Sequence, residues 1–265
     1  MTVYYVQNQW GGNSAPWHEG GVFNIGNRGD QLPVALNVSS NDGGQTLTGT
    51  MTYAGEGPIG FRGTLVTMNT YQVENQWGGD SAPWHDAGWF LLGARDGQSA
   101  VAFDLSSNDN GQTFGGTMTY SGEGPIGVSA TRSDGKAYNA SNQWGGDSAP
   151  WNPGGQWVLG CRANQNVVAI DVSGGDNGQT LNGTNTYFDE GPIGFRGNRI
   201  MANTYDVQNQ WGGDSAPWHE GGKWVIGCRG NGQGIVAVNV QGGAELNGTM
   251  TYNGEGPIGL RLAPS

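Results

Sequence analysis

Two short phrases and a lone arginine carry the residues of this sequence that could do chemistry, and each occurs four times. WGGNSAPW starts at Trp10 and WGGDSAPW at Trp77, Trp144 and Trp211, at intervals of 67 residues. Arginines follow in register at Arg28, Arg95, Arg162 and Arg229. Glutamates set in GEGPIG, or once DEGPIG, follow at Glu56, Glu123, Glu190 and Glu255. Paired glycines let backbone pass close to a ligand and expose amide donors. Indoles offer flat apolar faces with a polar handle. A carboxylate can accept two hydrogen bonds from vicinal hydroxyls, each charge-assisted bond contributing about 1.5 to 3 kcal/mol. Pyranose rings present C–H patches that stack on aromatic rings, and hydroxyls that need fixed polar partners. Together these residues form a set suited to a polyol.

Each member also has a plainer reading. Tyr4, Val6, Asn8 and Trp10 share a strand face, so the tryptophans could fill a core, and the second of each phrase (Trp17, Trp84, Trp151, Trp218) reads mainly as structural. An arginine on the solvent parity can serve solubility alone. The glutamate can be a turn residue bonded to a backbone amide, since Gly and Pro already explain the turn.

The elements that must position these residues are strands. The repeat divides the chain into units 1–67, 68–134, 135–201 and 202–265, the last trimmed at a hairpin from Gln241 to Leu246. About five strand signals per unit are separated by Gly and Asn turns. The third puts Val34, Leu36 and Val38 on one face, with Val101, Phe103 and Leu105, Val168, Ile170 and Val172, and Val236, Val238 and Val240 as equivalents. The fourth aligns Leu47, Met51 and Tyr53, and SSNDGGQT from Ser39 reads as a hairpin loop. In the second strand Phe23, Ile25 and Asn27, then Phe90, Leu92 and Ala94, Trp157, Leu159 and Cys161, and Trp224, Ile226 and Cys228 define an inner face. The arginines fall on the opposite parity.

One unit of five short strands would leave open edges, so pairing units into closed barrels is the economical solution. The expectation is an all-β protein of two tandem compact antiparallel β-barrels of about ten strands, each built from two repeats, over residues 1–134 and 135–265. SDGK at Ser133 to Lys136 makes the passage between them. A continuous sheet or propeller is the alternative.

Composition agrees. Of 265 residues 51 are glycine, and 12% are charged against 10% aromatic, a balance poor in helix formers. A formal charge of −11, with only Lys136 and Lys223 as lysines, argues against nucleic acid or an anionic membrane surface as partner. No stretch of 18 apolar residues occurs and the N-terminus lacks a classical export signal, so a soluble protein without membrane insertion is expected, its location undetermined. Cys161 and Cys228 each end an apolar strand pattern, which favours buried thiols over a disulfide. His18, His85 and His219 occur singly and repeat three has Asn152 instead, so neither a metal nor another cofactor is expected.

Two other function classes compete with sugar binding. A glycoside hydrolase needs two carboxylates about 5 to 10 Å apart, but each unit repeats a single glutamate in this loop. An adhesion protein would use exposed tryptophans to bind protein partners.

At NQWGGDSAPW, NQNVVAI, DNGQTLNGT and GEGPIGFRG the chain closely resembles, over its whole length, the Oscillatoria agardhii agglutinin family of high-mannose-specific lectins. The resemblance implies a non-enzymatic, metal-independent agglutinin, here a monomer with four sites. Its expected partners are the branched mannose core of high-mannose N-glycans and glycoproteins bearing it, viral envelope glycoproteins included. It also implies sites at the barrel ends that mix repeats. Trp10, Gly11 and Gly12 would meet Arg95, Glu123 and Gly124. Trp77, Gly78 and Gly79 would meet Arg28, Glu56 and Gly57. In the second barrel Trp144, Gly145 and Gly146 would meet Arg229, Glu255 and Gly256, and Trp211, Gly212 and Gly213 would meet Arg162, Glu190 and Gly191. Tryptophan would stack on the ring, glycine amides would donate, and the charged pair would bond hydroxyls. Three departures predict sites of unequal affinity: Asp189 before Glu190, Asn13 where Asp80, Asp147 and Asp214 stand, and GNGQG after Arg229, one residue longer than its equivalents.

Overall fold

The computed structural model describes all residues except 1, 12–13, 27–30, 68, 80, 94, 96, 145–147, 161, 163, 202, 228–232 and 265. Asn27, Ala94 and both cysteines therefore lie outside the described residues. The chain divides into two compact units, Met1–Ser133 and Asp134–Ser265. Repeat one supplies β1 (Thr2–Gln9), β2 (His18–Ile25), β3 (Pro33–Ser39), β4 (Thr46–Tyr53) and β5 (Ile59–Thr67). Repeat two supplies β6 (Thr70–Gln76), β7 (His85–Leu91), β8 (Ala100–Ser106), β9 (Thr113–Tyr120) and β10 (Ile126–Ser133). In the second unit repeat three gives β11 (Lys136–Gln143), β12 (Asn152–Leu159), β13 (Val167–Ser173), β14 (Thr180–Tyr187) and β15 (Ile193–Met201). Repeat four gives β16 (Thr204–Gln210), β17 (His219–Val225), β18 (Ile235–Gly242), β19 (Leu246–Tyr252) and β20 (Ile258–Pro264).

Each unit is a closed ten-strand antiparallel barrel, ordered β1-β10-β9-β8-β3-β4-β5-β6-β7-β2 and β11-β12-β17-β16-β15-β14-β13-β18-β19-β20. The two repeats of a barrel interleave. β1 pairs with β10 of repeat two on one side and its own β2 on the other, β3 pairs with β8, and the first strand of repeat two, β6, returns along β5. Closure removes the free edges that a five-strand unit would expose.

The barrel interiors are aromatic. Tyr4, Phe23, Phe61, Phe90, Phe103 and Tyr120 fill the first, and Trp157, Trp224, Phe195, Tyr187 and Tyr205 the second, all essentially solvent-free. The inner face expected for the second strand holds: Phe23, Ile25, Phe90, Leu92, Trp157, Leu159, Trp224 and Ile226 are all buried. Leu47, Met51 and Tyr53 of β4 share the core as expected.

The alternation expected for the third strand fails at its first residue in every repeat. Val34, Val101, Val168 and Val236 are only half-buried, and Pro33, Ala100, Val167 and Ile235 turn inward instead. A bulge is the cause, since the register shifts between Pro33 and Ala35, Ala100 and Ala102, Val167 and Ala169, and Ile235 and Ala237. One extra residue flips the parity of everything before it.

Close packing of β3 on β4 also fixes a glycine. A Cβ on Gly49 would lie 2.2 Å from the Asn37 carbonyl oxygen, and on Gly183 2.1 Å from that of Asp171. The loop from Ser39 is a hairpin turn tied by Asp42, which accepts from the Thr46 amide at 2.9 Å and the Ser40 hydroxyl at 2.7 Å. The Thr46 hydroxyl and amide, then the Ser40 hydroxyl, hold the Asp42 carboxyl down at about 2.

Candidate carbohydrate-binding sites

Neither tryptophan of the repeated phrase enters a core. Trp10, Trp77, Trp144 and Trp211 are 44%, 45%, 51% and 45% exposed, and Trp17 and Trp151 are also exposed. The shared parity of Tyr4, Val6, Asn8 and Trp10 holds only as far as Asn8, because β1 ends at Gln9 and Trp10 stands beyond the barrel rim. The glutamine that ends each strand anchors the loop that follows. Gln9, Gln76, Gln143 and Gln210 donate from Nε2 to the carbonyls of Ala15, Ala82, Ala149 and Ala216 at 2.6 to 2.7 Å. Gly78 and Gly79 both hold φ near +95°, as do Gly212 and Gly213, a conformation L side chains resist. Gly12, Gly145 and Gly146 lie outside the described residues.

The histidines that follow the second tryptophan stack on the first. Trp10–His18, Trp77–His85 and Trp211–His219 have ring centroids 4.2 Å apart and planes within 19°. Asn152 holds the equivalent position in repeat three, where Trp144 is the most exposed of the four. Among the described residues no group of three His, Cys, Asp or Glu side chains could hold a metal ion.

The glutamates sit after tight turns. Each Glu amide bonds the carbonyl three residues back, at Tyr53, Tyr120, Tyr187 or Tyr252. The residue before it has positive φ, +80° or +81° for Gly55, Gly122 and Gly254, as a type II turn requires. Asp189 takes the same place at φ +62°, so this departure keeps the turn and pays in backbone strain of about 1 kcal/mol.

Arg95 Nη1 reaches Glu123 Oε1 at 2.6 Å, and Arg162 Nη1 reaches Glu190 Oε1 at 2.6 Å. Each guanidinium lies over a tyrosine that closes the barrel, Tyr120 at 4.3 Å and Tyr187 at 4.2 Å. Arg28 and Arg229 lie outside the described residues, together with the longer loop that follows Arg229.

A second side chain steadies every glutamate and was missed in the sequence: Gln31, Gln98, Gln165 and Gln233 donate to Oε1 of Glu56, Glu123, Glu190 and Glu255 at 3.0 to 3.1 Å. Each also ties down the turn through a backbone carbonyl, that of Ala54, Ser121, Phe188 or Asn253. Its signal was a glutamine in register with the repeat, three residues after Arg28, Arg95 and Arg162 and four after Arg229. Gln233 makes the bond despite the longer loop. Gln165 and then Arg162 hold the Glu190 carboxyl below the usual glutamate range. Gly57, Gly124, Gly191 and Gly256 follow the glutamates with open space where a Cβ would stand.

Strand pairing decides which pieces meet. In β5–β6 Gly60 pairs with Gln76, and in β1–β10 Gln9 pairs with Gly127. Each tryptophan loop therefore emerges beside the GPIG segment of the other repeat. In the second barrel Gln210 pairs with Gly194 and Gln143 with Gly259. Arg162 lies 5.7 Å from the ring centre of Trp211, joining the two halves of that cluster through side chains. Beside every tryptophan loop a groove of about 440 to 660 Å³ runs along the outer barrel wall, past Pro58, Pro125, Pro192 or Pro257 to the second tryptophan or its neighbours. These grooves take in Trp10 with Gly11, Trp77 with Gly78 and Gly79, Trp144, and Trp211 with Gly212 and Gly213, and neither the Arg95–Glu123 nor the Arg162–Glu190 pair lines them.

The repeats match the model of the "OAA-family lectin sugar binding domain" over residues 2–66, 69–133, 136–200 and 203–265. The chain is 59% identical over 264 residues to Myxobacterial hemagglutinin of Myxococcus xanthus, covering 98% of both chains. It is 65% identical over 129 residues to Lectin OAA of Planktothrix agardhii, covering 49% of this chain and 98% of that one. Among solved structures, the Myxococcus xanthus hemagglutinin in complex with α3,α6-mannopentaose superposes with a TM-score of 0.95 at 57% identity, covering 99% of this chain and 100% of that one. Burkholderia oklahomensis agglutinin superposes at 0.94, also at 57% identity, covering 99% and 94%. By four tandem family domains and by relatives at this identity over the full length, the chain belongs to the OAA family of lectins.

Proposed function

We propose that this protein is a non-enzymatic, metal-independent agglutinin whose four clusters each bind the branched mannose core of a high-mannose glycan. The observation that carries the reading is the cluster at Trp211: an exposed indole, Gly212 and Gly213, and the Arg162–Glu190 pair with Gly191, drawn from two repeats. Repeat symmetry extends it to Trp77, Gly78 and Gly79 with Arg28, Glu56 and Gly57, to Trp10, Gly11 and Gly12 with Arg95, Glu123 and Gly124, and to Trp144, Gly145 and Gly146 with Arg229, Glu255 and Gly256. The relative that holds α3,α6-mannopentaose supplies the ligand class.

The geometry suits binding more than hydrolysis. In each cluster a glutamate carboxylate is engaged through Oε1 by a glutamine, and at Glu123 and Glu190 by a guanidinium as well; at Glu190 the glutamine and then the guanidinium favour the ionised, hydrogen-bond-accepting form. Hydrolysis would need a second carboxylate across the sugar at every site, and Asp214, which lines the Trp211 groove, is replaced by Asn13 in the first repeat.

Single sugar sites bind weakly, since hydroxyls trade water for protein with little net gain. Four on one monomeric chain would raise avidity by about 10² to 10⁴ on a multivalent surface such as a viral envelope glycoprotein. Calorimetric titration with branched mannopentaose in EDTA tests the reading. Saturation near four per chain is expected, and absence of binding, or release of free mannose, would overturn it.

A further inference from the structure

Three of the four wall grooves carry the same device at the second tryptophan. The second tryptophan lies against the outer wall, its ring edge over a glycine of the neighbouring strand: Trp84 over Gly60, Trp218 over Gly194 and Trp151 over Gly259, each about 3.3 to 3.4 Å from where a Cβ would stand. Two residues along that strand, on the same outward face, an arginine folds over the indole. Arg62, Arg196 and Arg261 lie 4.5, 4.3 and 4.5 Å from the ring centres of Trp84, Trp218 and Trp151. Arg62 is held in place by Glu74, its cross-strand partner, through Nε at 2.8 Å.

The fourth groove departs from this. Trp17 leans over Gly127 in the same way, but the residue two further along is Ser129, paired with Gln7. No cation lies over Trp17 among the described residues, and the ring is 43% exposed. Trp10, Gly11, Trp17, Pro125, Gly127 and Ser129 line one continuous groove of about 560 Å³. Pro125 stands two residues after Glu123, so this groove continues from the Trp10 cluster.

We infer that the Trp10 groove carries an additional sugar subsite on the uncovered face of Trp17, which takes a hexopyranose extending from the branched core. In the other three grooves an arginine occupies that face. The inference rests on the lectin reading above. It makes the first cluster the one that discriminates between a bare branched core and a longer glycan of the same class. A bare indole face offers C–H stacking, and Ser129, which lines the same groove, carries a hydroxyl able to pair with a ring hydroxyl.

The test uses the full-length chain with Glu56→Gln, Glu190→Gln and Glu255→Gln, leaving the Trp10 groove competent, and titrates branched mannopentaose against a nine-mannose glycan. The larger glycan is expected to bind about 2- to 10-fold more tightly through the extra stack. Ser129→Arg, and separately Trp17→Ala, should bring that ratio to one with affinity for the pentaose unchanged. In a chain keeping the Glu56 cluster alone, Arg62→Ser should raise the ratio. A ratio of one in the parent, or one that Ser129→Arg does not move, overturns the subsite while mannopentaose binding preserves the lectin reading. Loss of both glycans from the wild type removes both.

Discussion

Replacing Trp10, Trp77, Trp144 and Trp211 together by alanine separates binding from folding in one variant. Each indole is already 44 to 51% exposed and lies outside the barrels. Truncation therefore forfeits about half the burial of a large apolar side chain and opens no enclosed cavity. Full burial contributes about 1.5 to 3 kcal/mol, so each site should lose roughly 0.75 to 1.5 kcal/mol, and each barrel, with two, about 1.5 to 3 kcal/mol. For a unit of this size that lowers Tm by about 5 to 11 °C. Trp157→Ala is the contrast: that ring is solvent-free, and emptying a core site of this size costs about 3 to 5 kcal/mol. For binding, an indole at the centre of a contact costs about 2 kcal/mol or more on truncation, about 30-fold per site, and agglutination, which needs two competent sites, should vanish. Calorimetric titration with mannopentaose, haemagglutination and thermal melts followed by far-UV circular dichroism measure the three quantities. Collapse of the β signal, or a melting shift as large as that of Trp157→Ala, would refute the placement of these rings outside the core. Mannopentaose affinity within about threefold of wild type would refute their role in binding.

Gly124→Ala adds a methyl group where the structure leaves open space, so its melting temperature should stay within about 2 °C of wild type while titration registers weakened binding at that cluster. Gly183→Ala should do the reverse: its Cβ would lie 2.1 Å from the Asp171 carbonyl, and calorimetry should record loss of about 3 kcal/mol or more in the second barrel with glycan binding by the first retained. Gln98→Ala removes the bond that steadies Glu123 and the turn at Ser121; about a fivefold loss of affinity at that cluster is expected from one net hydrogen bond, and an unchanged isotherm would assign the glutamine to the turn alone. Glu190 is held below the usual range by Gln165 and Arg162, so a depressed folded-state value stabilises the fold above the unfolded value and the benefit is lost as pH falls through the folded one. An NMR titration of its carboxyl carbon should therefore find it ionised through the ordinary glutamate range, with binding by that cluster persisting to the same pH.

Period and parity along the chain were enough to read the four repeats, the strand content and most inward-facing residues, and to nominate the residue types proposed for the sites. These are local properties, set by residue spacing on a pleated strand. Where one residue breaks the period the reading failed, at Val34 and its three equivalents, because a bulge leaves no mark in composition. The fate of Trp10 was likewise beyond parity, since a strand's end is fixed by where its partner stops. The glutamines beside the glutamates were visible in register with the repeat, but a neutral amide gains meaning only when a carboxylate stands 3 Å away.

Tertiary structure alone decided which halves meet. β6 returns along β5, and β1 closes on β10, so the tryptophan loop of one repeat is hydrogen-bonded into place beside the glutamate turn of the other. Pairing between strands far apart in the chain is a property of barrel closure, and no repeat contains it.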